Sequence, residues 1–87
     1  MSHPRLTVIA GPVYDDRLAE LWFADPEIVE SVSNTLDTVL RTIPDQAGQS
    51  FEFEGKRYRY LRLLGYQVVY EIKLQDCQVV LHDIRPV

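Results

Sequence analysis

The sequence predicts an α+β fold in which two helices pack on one face of an antiparallel sheet. Two helical segments follow one short strand in the first half of the chain, and the second half alternates as successive strands do. Helices grouped together and strands grouped together are typical of a two-layer α+β domain. We summarise the predicted order as β-α-α-β-β-β. Such a fold leaves one face of the sheet open for binding.

The first strand and the first helix meet at Gly11-Pro12. Apolar and β-branched side chains alternate over residues 5–10, which predicts a strand that Gly11-Pro12 ends. Asp15 and Asp16 follow in the first turn of a predicted helix, where acidic side chains favour the helix dipole. The helix is predicted to end near residue 24. Its apolar residues, which we expect in the core, are Tyr14, Leu18, Leu21 and Trp22.

The second helix has a clear start signal, Asp25-Pro26-Glu27. Asp suits the N-cap, Pro suits the first helical position because its missing N–H group costs nothing there, and Glu suits the first turn. Pro44 and Gly48 are expected to end this helix. An apolar stripe along it predicts that it covers a flat surface. The stripe consists of Ile28, Val32, Leu36, Val39, Leu40 and Ile43.

The segments after residue 48 have the features of strands. A short one around Phe51 and Phe53 runs up to Gly55 and turns into the next, which spans residues 57–64. In residues 66–74, alternate side chains are apolar or aromatic, as in a strand with one buried face. A turn at residues 75–77 then leads to the final strand, predicted over residues 78–84.

Composition narrows the class of protein. At 87 residues, with 46% hydrophobic and 25% charged residues, the chain resembles one globular domain. No apolar run approaches the roughly 20 residues of a membrane span, and the N-terminus lacks the apolar segment of a signal peptide, so a cytoplasmic protein is expected. The single cysteine, Cys77, cannot form an internal disulfide, and the two histidines are too far apart for zinc spacing. No metal or cofactor is expected.

Positive charge is concentrated in one stretch. Residues 1–50 carry three basic and eight acidic residues, a net charge of −5, whereas residues 51–87 carry six basic and five acidic residues, a net charge of +1. Residues 55–62 contain four basic residues and no acidic one, so an anionic ligand would be drawn there. The total charge of −4 argues against strong non-specific binding of nucleic acid.

Several short motifs occur together along nearly the whole chain. They are Leu21-Trp22, Asp25-Pro26, Gly55 with Arg57, Gly65-Tyr66-x-Val68-x-Tyr70-x-Ile72 and Val79-Val80-Leu81-x-Asp83-Ile84-Arg85. In this combination the sequence resembles the RelE/ParE superfamily of type II toxin–antitoxin toxins. The resemblance implies that residues 1–87 form a single RelE/ParE-like toxin domain.

The resemblance implies one of two activities and a common partner. RelE-like members are mRNA interferases that cut mRNA on the ribosome, whereas ParE-like members share the fold and inhibit DNA gyrase without enzymatic chemistry. Both bind a cognate antitoxin protein. A third interpretation is an inactive member that serves as a partner-binding module. The acidic charge favours it, as does Gln67, because RNA-cutting relatives often carry Arg at that position. A RelE-like, metal-independent endoribonuclease is the leading hypothesis.

RNA cleavage of the RelE type uses the neighbouring 2′-hydroxyl as nucleophile. The protein must therefore supply cationic donors to the phosphate and a group that moves protons. His82 is the candidate for proton transfer, although it shares a parity with Val80 and Ile84 and could point into the core. The predicted catalytic residues are Arg57, Arg62, Arg85 and His82, and the predicted RNA-binding residues are Lys56, Arg59 and Tyr70, the last by stacking on a base.

The arginines also have structural interpretations. In a regular strand, Arg57 and Arg59 share one face and Arg62 lies on the other, so a bulge or bend would be needed to bring all three together. Arg85 could pair with Asp83 instead of a substrate.

Overall fold

The structure, a computed structural model, describes residues 6–42 and 45–87. Its order is β-α-α-β-β-β-β, one strand more than β-α-α-β-β-β, because all four strand segments predicted after residue 48 form separate strands. The residues predicted at positions 5, 43 and 44 lie outside the described ranges. The elements are β1 (Thr7–Ala10), α1 (Pro12–Ala24), α2 (Pro26–Thr42), β2 (Gln49–Phe53), β3 (Lys56–Leu63), β4 (Tyr66–Lys73) and β5 (Gln78–Pro86), with a 3₁₀ turn at Leu74–Asp76.

The strands form a single five-stranded sheet in the order β1-β5-β4-β3-β2. β2, β3, β4 and β5 pair antiparallel in sequence, whereas β1 pairs parallel with β5. The predicted α+β class and the antiparallel series are confirmed, but the sheet as a whole is mixed. Short turns join β2 to β5, and strands joined by a short turn must pair antiparallel. All the other elements lie between β1 and β5 in the sequence, so these two strands can pair parallel.

Both helices begin where the sequence signals place them. Gly11 precedes α1 and Pro12 opens it. Asp25 separates the helices, and its Oδ1 accepts a hydrogen bond of 3.2 Å from the backbone N–H of Ile28, as an N-cap side chain does. The predicted restart at Asp25-Pro26 is therefore confirmed.

The core lies between the helices and one face of the sheet. In the described part of the predicted α2 stripe, Val32, Leu36 and Leu40 are buried, and Ile28 and Val39 are partly buried. They pack in one core with alternate residues of β4 and β5. Each fully buried Leu or Val contributes roughly 1.5–3 kcal/mol relative to an exposed position. Trp22 was expected in the core, but it is 52% exposed, because it lies at the solvent side of α1. The principal core residues are Tyr14, Val32, Leu36, Leu40, Val68, Tyr70, Val79, Leu81 and Ile84.

A β-bulge in β5 changes which residues face the core. Val69 pairs with Asp83, but the next residue of β4, Tyr70, pairs with Leu81, so His82 is the extra residue on β5. The bulge shifts the alternation by one residue. As a result Leu81 and Ile84 are both buried, and His82 does not share a face with Ile84.

No described helix covers the second face of the sheet, and we call this face the open face. Among residues 6–42 and 45–87, neither helix is long and apolar enough to cross a membrane.

Candidate functional site

The open face is defined by cross-strand pairs, because directly opposite residues point to the same side of a sheet. Tyr70 is in the core, so its neighbour Val69 lies on the open face together with its partner Tyr60 on β3. Arg62 and its partner Gln67 share that face for the same reason. The open face thus carries polar, cationic and aromatic side chains from several adjacent strands.

Three aromatic side chains from β2 and β3 lie side by side on the open face, and we call them the aromatic row: Phe51, Tyr58 and Tyr60. The Phe51 ring stacks on Tyr58 with 5.8 Å between centroids and lies 6.0 Å from Tyr60. At one end of the row, the Arg62 guanidinium carbon lies 5.8 Å from the Tyr60 centroid. At the other end, the His82 ring meets Tyr58 edge to face at 5.3 Å. These distances are typical of favourable ring and cation–π contacts.

His82 is held by a carboxylate on the neighbouring strand. Its Nε2 lies 3.0 Å from Oε1 of Glu71, and the two side chains are 38% and 19% exposed. An ionised carboxylate only accepts hydrogen bonds, so Nε2 carries the proton in this contact. In neutral imidazole the second nitrogen, Nδ1, is then an unprotonated acceptor. The arrangement therefore suits His82 to take a proton.

Arg62 and Arg85 flank Gln67 across β3, β4 and β5. Arg62 donates a hydrogen bond of 3.1 Å from Nε to Oε1 of Gln67, and Arg85 is the register partner of Gln67 on β5. Arg85 also pairs with Asp83 at 2.7 Å, as its structural interpretation predicted. Asp83 accepts a second cation, Arg17 of α1, at 2.7 Å. Arg85 therefore reaches the open face with its charge partly compensated.

Arg57 and Arg59 lie on the opposite face from Arg62, because β3 keeps a regular register along its described pairing with β2 and β4. Arg57 pairs with Glu52 at 3.5 Å near the sheet edge. Arg59 donates hydrogen bonds to the carbonyl of Gly48 and, at 3.4 Å, to the hydroxyl of Tyr70. The structure thus does not bring Arg57 together with Arg62, and Arg59 is engaged within the fold.

Two RNA-binding predictions have opposite outcomes. Tyr70 is fully buried at 0% exposure, so its ring cannot stack on a base, and we withdraw it from the candidate set. Lys56 is exposed at the start of β3 and shares the parity of Tyr58, which places it on the open face. It remains available to contact a phosphate.

The aromatic row and Glu71 are not among the site residues predicted from the sequence. The row could have been found, because the two-residue turn at Glu54-Gly55 sets the hairpin register and thereby places Phe51 opposite Tyr58. Glu71 could not, because its contact with His82 depends on the bulge in β5.

No group of three or more potential metal-ligating side chains occurs among residues 6–42 and 45–87. A shallow, largely apolar groove of about 270 Å³ runs between α1 and α2. It is lined by Asp15, Leu18, Ala19, Trp22 and Val29.

Comparison with known proteins identifies the fold. No protein-family model matches the sequence, and no curated protein matches it. Among solved structures, a chain of the toxin–antitoxin complex RelBE2 from Mycobacterium tuberculosis is similar, with a TM-score of 0.83 and 20% sequence identity. The similarity covers 95% of this chain and 92% of that one. At this identity the similarity establishes the fold, and the chain therefore has the RelE-like α+β fold that its sequence motifs predicted.

Proposed function

We propose that this chain is the toxin of a type II toxin–antitoxin module and that, like RelE, it cuts mRNA on the ribosome. The observation that carries the proposal is the shared fold with a chain of a toxin–antitoxin complex over nearly the full length of both chains. It is supported by the open face, which combines a proton acceptor, a cation and aromatic rings on one rigid sheet. The proposed partners are a cognate antitoxin, the ribosome and mRNA, all in the cytoplasm.

The proposed reaction is attack of a 2′-hydroxyl on the adjacent phosphate. Nδ1 of His82 takes the proton from the 2′-hydroxyl, whose oxygen forms a bond to phosphorus. The bond from phosphorus to the 5′-oxygen breaks, a water molecule protonates that oxygen, and the hydroxide that remains takes the proton back from His82. The products are a 2′,3′-cyclic phosphate and a 5′-hydroxyl end. General-base assistance of this kind typically contributes about 10²–10⁴-fold to a rate.

Arg62 has the second role in the proposed reaction. Negative charge grows on the phosphoryl oxygens in the transition state, and a guanidinium can donate two parallel hydrogen bonds to them. The contacts of Arg62 with Gln67 and Tyr60 hold the guanidinium on the open face before substrate arrives. Arg85 lies two strands away, roughly 10 Å, and we propose that it contacts an adjoining phosphate. Arg57 is on the opposite face, so we no longer propose it as catalytic.

A second candidate function, a partner-binding module without catalysis, is favoured by one observation. Candidate catalytic groups are already engaged by other side chains, Arg85 by Asp83 and His82 by Glu71. Such pairs neutralise charge that a nuclease would direct at phosphate. We rank this second because Arg62 is in neither pair and the contact with Glu71 engages Nε2 of His82, not Nδ1.

The test is induced expression of the chain in a bacterial host, with growth followed together with primer extension on a reporter mRNA. We expect growth arrest and discrete cuts inside translated codons. Arg62→Ala should relieve both, whereas Arg41→Ala, which removes an arginine from the exposed Asp37 pair on α2, should relieve neither. Arrest with intact mRNA would overturn the nuclease proposal, and normal growth with soluble, folded protein would favour the binding module.

A further inference from the structure

We infer that the open face holds a single RNA strand by stacking its bases on the aromatic row, with phosphate contacts as the minor contribution. The inference rests on the proposed function and deepens it, because it names how the same face recognises its substrate. It also requires the RNA to be single-stranded, because bases can stack on a sheet surface only when they are unpaired.

The aromatic row is continuous. Its centroid separations of 5.8 and 6.0 Å, with interplanar angles of 29° and 52°, put the three rings in contact, and the row is extended edge to face by His82 of β5 at one end and by Arg62 at the other. Every base has a π face, so a row of this kind accepts successive bases of a strand with little sequence preference. The row also ends beside His82, which places a stacked strand next to the proposed proton acceptor.

The row is organised before any ligand binds. The hydroxyl of Tyr60 donates a hydrogen bond of 2.8 Å to Oε1 of Gln49, which fixes the ring over β2 and β3. Phe51 packs against both tyrosines, and Arg62 is held by Gln67. Side chains that are already ordered lose little rotamer entropy on binding, so more of the stacking energy appears as affinity.

The charges of this protein indicate that phosphate contacts contribute less to the affinity for RNA than stacking does. The chain carries a net charge of −4, and Glu71 and Asp83 lie among the cations of the open face. Arg62 and Lys56 are the cations that β3, the strand with two of the three rings, presents on the open face, and Arg85 of β5 is paired with Asp83. About two phosphate contacts at most are therefore expected to contribute, whereas stacking contributes at each of several bases.

The experiment is fluorescence anisotropy with a labelled single-stranded oligo(A) of about ten nucleotides. The oligonucleotide carries 2′-O-methyl groups, which remove the nucleophile and so prevent cleavage. Tyr60→Ala and Phe51→Leu should each weaken binding by about tenfold or more. Phe51→Leu keeps an apolar side chain at the position, which guards against unfolding. Phe23→Ala is the control, because Phe23 is an exposed aromatic (88%) on α1, and it should bind like the parent.

The salt dependence separates stacking from phosphate binding. Between about 50 and 200 mM salt we expect a loss of less than about tenfold in affinity, as for at most two phosphate contacts. Parent-like binding by folded Tyr60→Ala and Phe51→Leu, a loss well beyond tenfold with salt, or no binding by the parent protein would each overturn the inference. Cuts in mRNA without oligonucleotide binding would overturn this inference alone, whereas binding without any mRNA cuts would overturn the proposed function instead.

Discussion

At the scale of single residues, Gly48 lies where the chain passes close beneath β3. A Cβ atom at this position would come 2.2 Å from the carbonyl oxygen of Tyr60 and 3.1 Å from the hydroxyl of Tyr70. The Gly48 carbonyl also accepts a hydrogen bond from Arg59. Arg59 thus joins the approach to β2 to the hydroxyl of the buried Tyr70, which explains why it serves the fold and not a ligand.

Gly48→Ala is therefore expected to lower the free energy of unfolding by about 1–3 kcal/mol, because backbone must move to admit the methyl group. Gly55→Ala is the comparison. It has open space around its Cβ position, and its φ of +80° makes strain of about 1 kcal/mol the expected cost. Urea unfolding of both variants measures the difference. A Gly48→Ala protein no less stable than Gly55→Ala would contradict the close approach.

The Glu71–His82 pair gives a prediction about activity at the same scale. If Nδ1 of His82 is the proton acceptor, His82→Ala should lower the rate of RNA cleavage by about 10²-fold or more. Glu71→Ala should lower it in the same direction, because the imidazole loses the partner that holds the proton on Nε2. Single-turnover cleavage on ribosomes measures both, and Glu20→Ala on the outside of α1 is the control. Full activity in Glu71→Ala would remove Glu71 from the site.

His82 and Tyr70 show how far the sequence could define this site. Residue parity placed His82 with Ile84, and only the bulge, set by pairing with β4, turns it to the open face. Tyr70 was selected for its chemistry, but a phenol suits burial when its hydroxyl has a partner, here Arg59. The residue types of the site were thus predictable from the sequence. The face of the sheet on which each side chain lies was not, because it depends on the register between strands that are distant in sequence.

At the scale of elements, Asp83 joins α1 to the last strand. It accepts Arg17 and Arg85 at 2.7 Å each, and its Oδ1 accepts a hydrogen bond of 2.9 Å from the backbone N–H of Ile84. With only 16% of its side chain exposed, this carboxylate is screened less than one on an open surface. The two cations and the bulge beside them fix where β5 ends against the helix.

Asp83→Ala is expected to lower the free energy of unfolding by about 1–2 kcal/mol, since two cations and a backbone N–H lose their partner. Asp37→Ala is the matched control, because Asp37 makes one exposed pair with Arg41 within α2, and about 0.5 kcal/mol or less is expected there. Urea unfolding measures both. A double-mutant cycle with Arg17→Ala should show coupling, and strict additivity would contradict the link between α1 and β5.

The elements themselves were the most predictable level. Local signals such as Asp25-Pro26 and Gly65 placed helix and strand ends within a residue or two. The parallel pairing of β1 with β5 and the solvent position of Trp22 were not predictable from local pattern, because both depend on how the helices settle against the sheet.

At the scale of the whole molecule, a buried phenol near the start of α1 links stability to pH. Burial, with a smaller contribution from Asp15, raises the pKa of Tyr14 from 10.0 to about 12. A raised pKa means that the folded state favours the neutral phenol. The corresponding stability is fully present below about pH 10 and is lost as the pH rises toward 12.

We expect the free energy of unfolding to fall by on the order of 2 kcal/mol through this group between about pH 10 and pH 12. Tyr14→Phe keeps the ring and removes the ionisation, so it should be less sensitive to alkali than the parent protein. Urea unfolding at several alkaline pH values measures the difference. An identical alkaline loss in Tyr14→Phe would show that Tyr14 is not its source.

In the molecule as a whole, the helical layer is more acidic than the open face. Helices α1 and α2 carry six acidic and two basic residues, a net charge of −4, whereas the open face presents Arg62, Lys56 and Arg85 beside the aromatic row. We expect this difference in charge to draw an anionic ligand to the sheet and not to the helical layer.

The most direct test of the account is cleavage of mRNA on purified ribosomes by the purified protein, with the new ends identified chemically. The account predicts cuts within the codon presented for decoding, each leaving a 2′,3′-cyclic phosphate and a 5′-hydroxyl, and their loss in Arg62→Ala and His82→Ala. Intact mRNA after incubation with folded protein, or cleavage that persists in both variants, would contradict it.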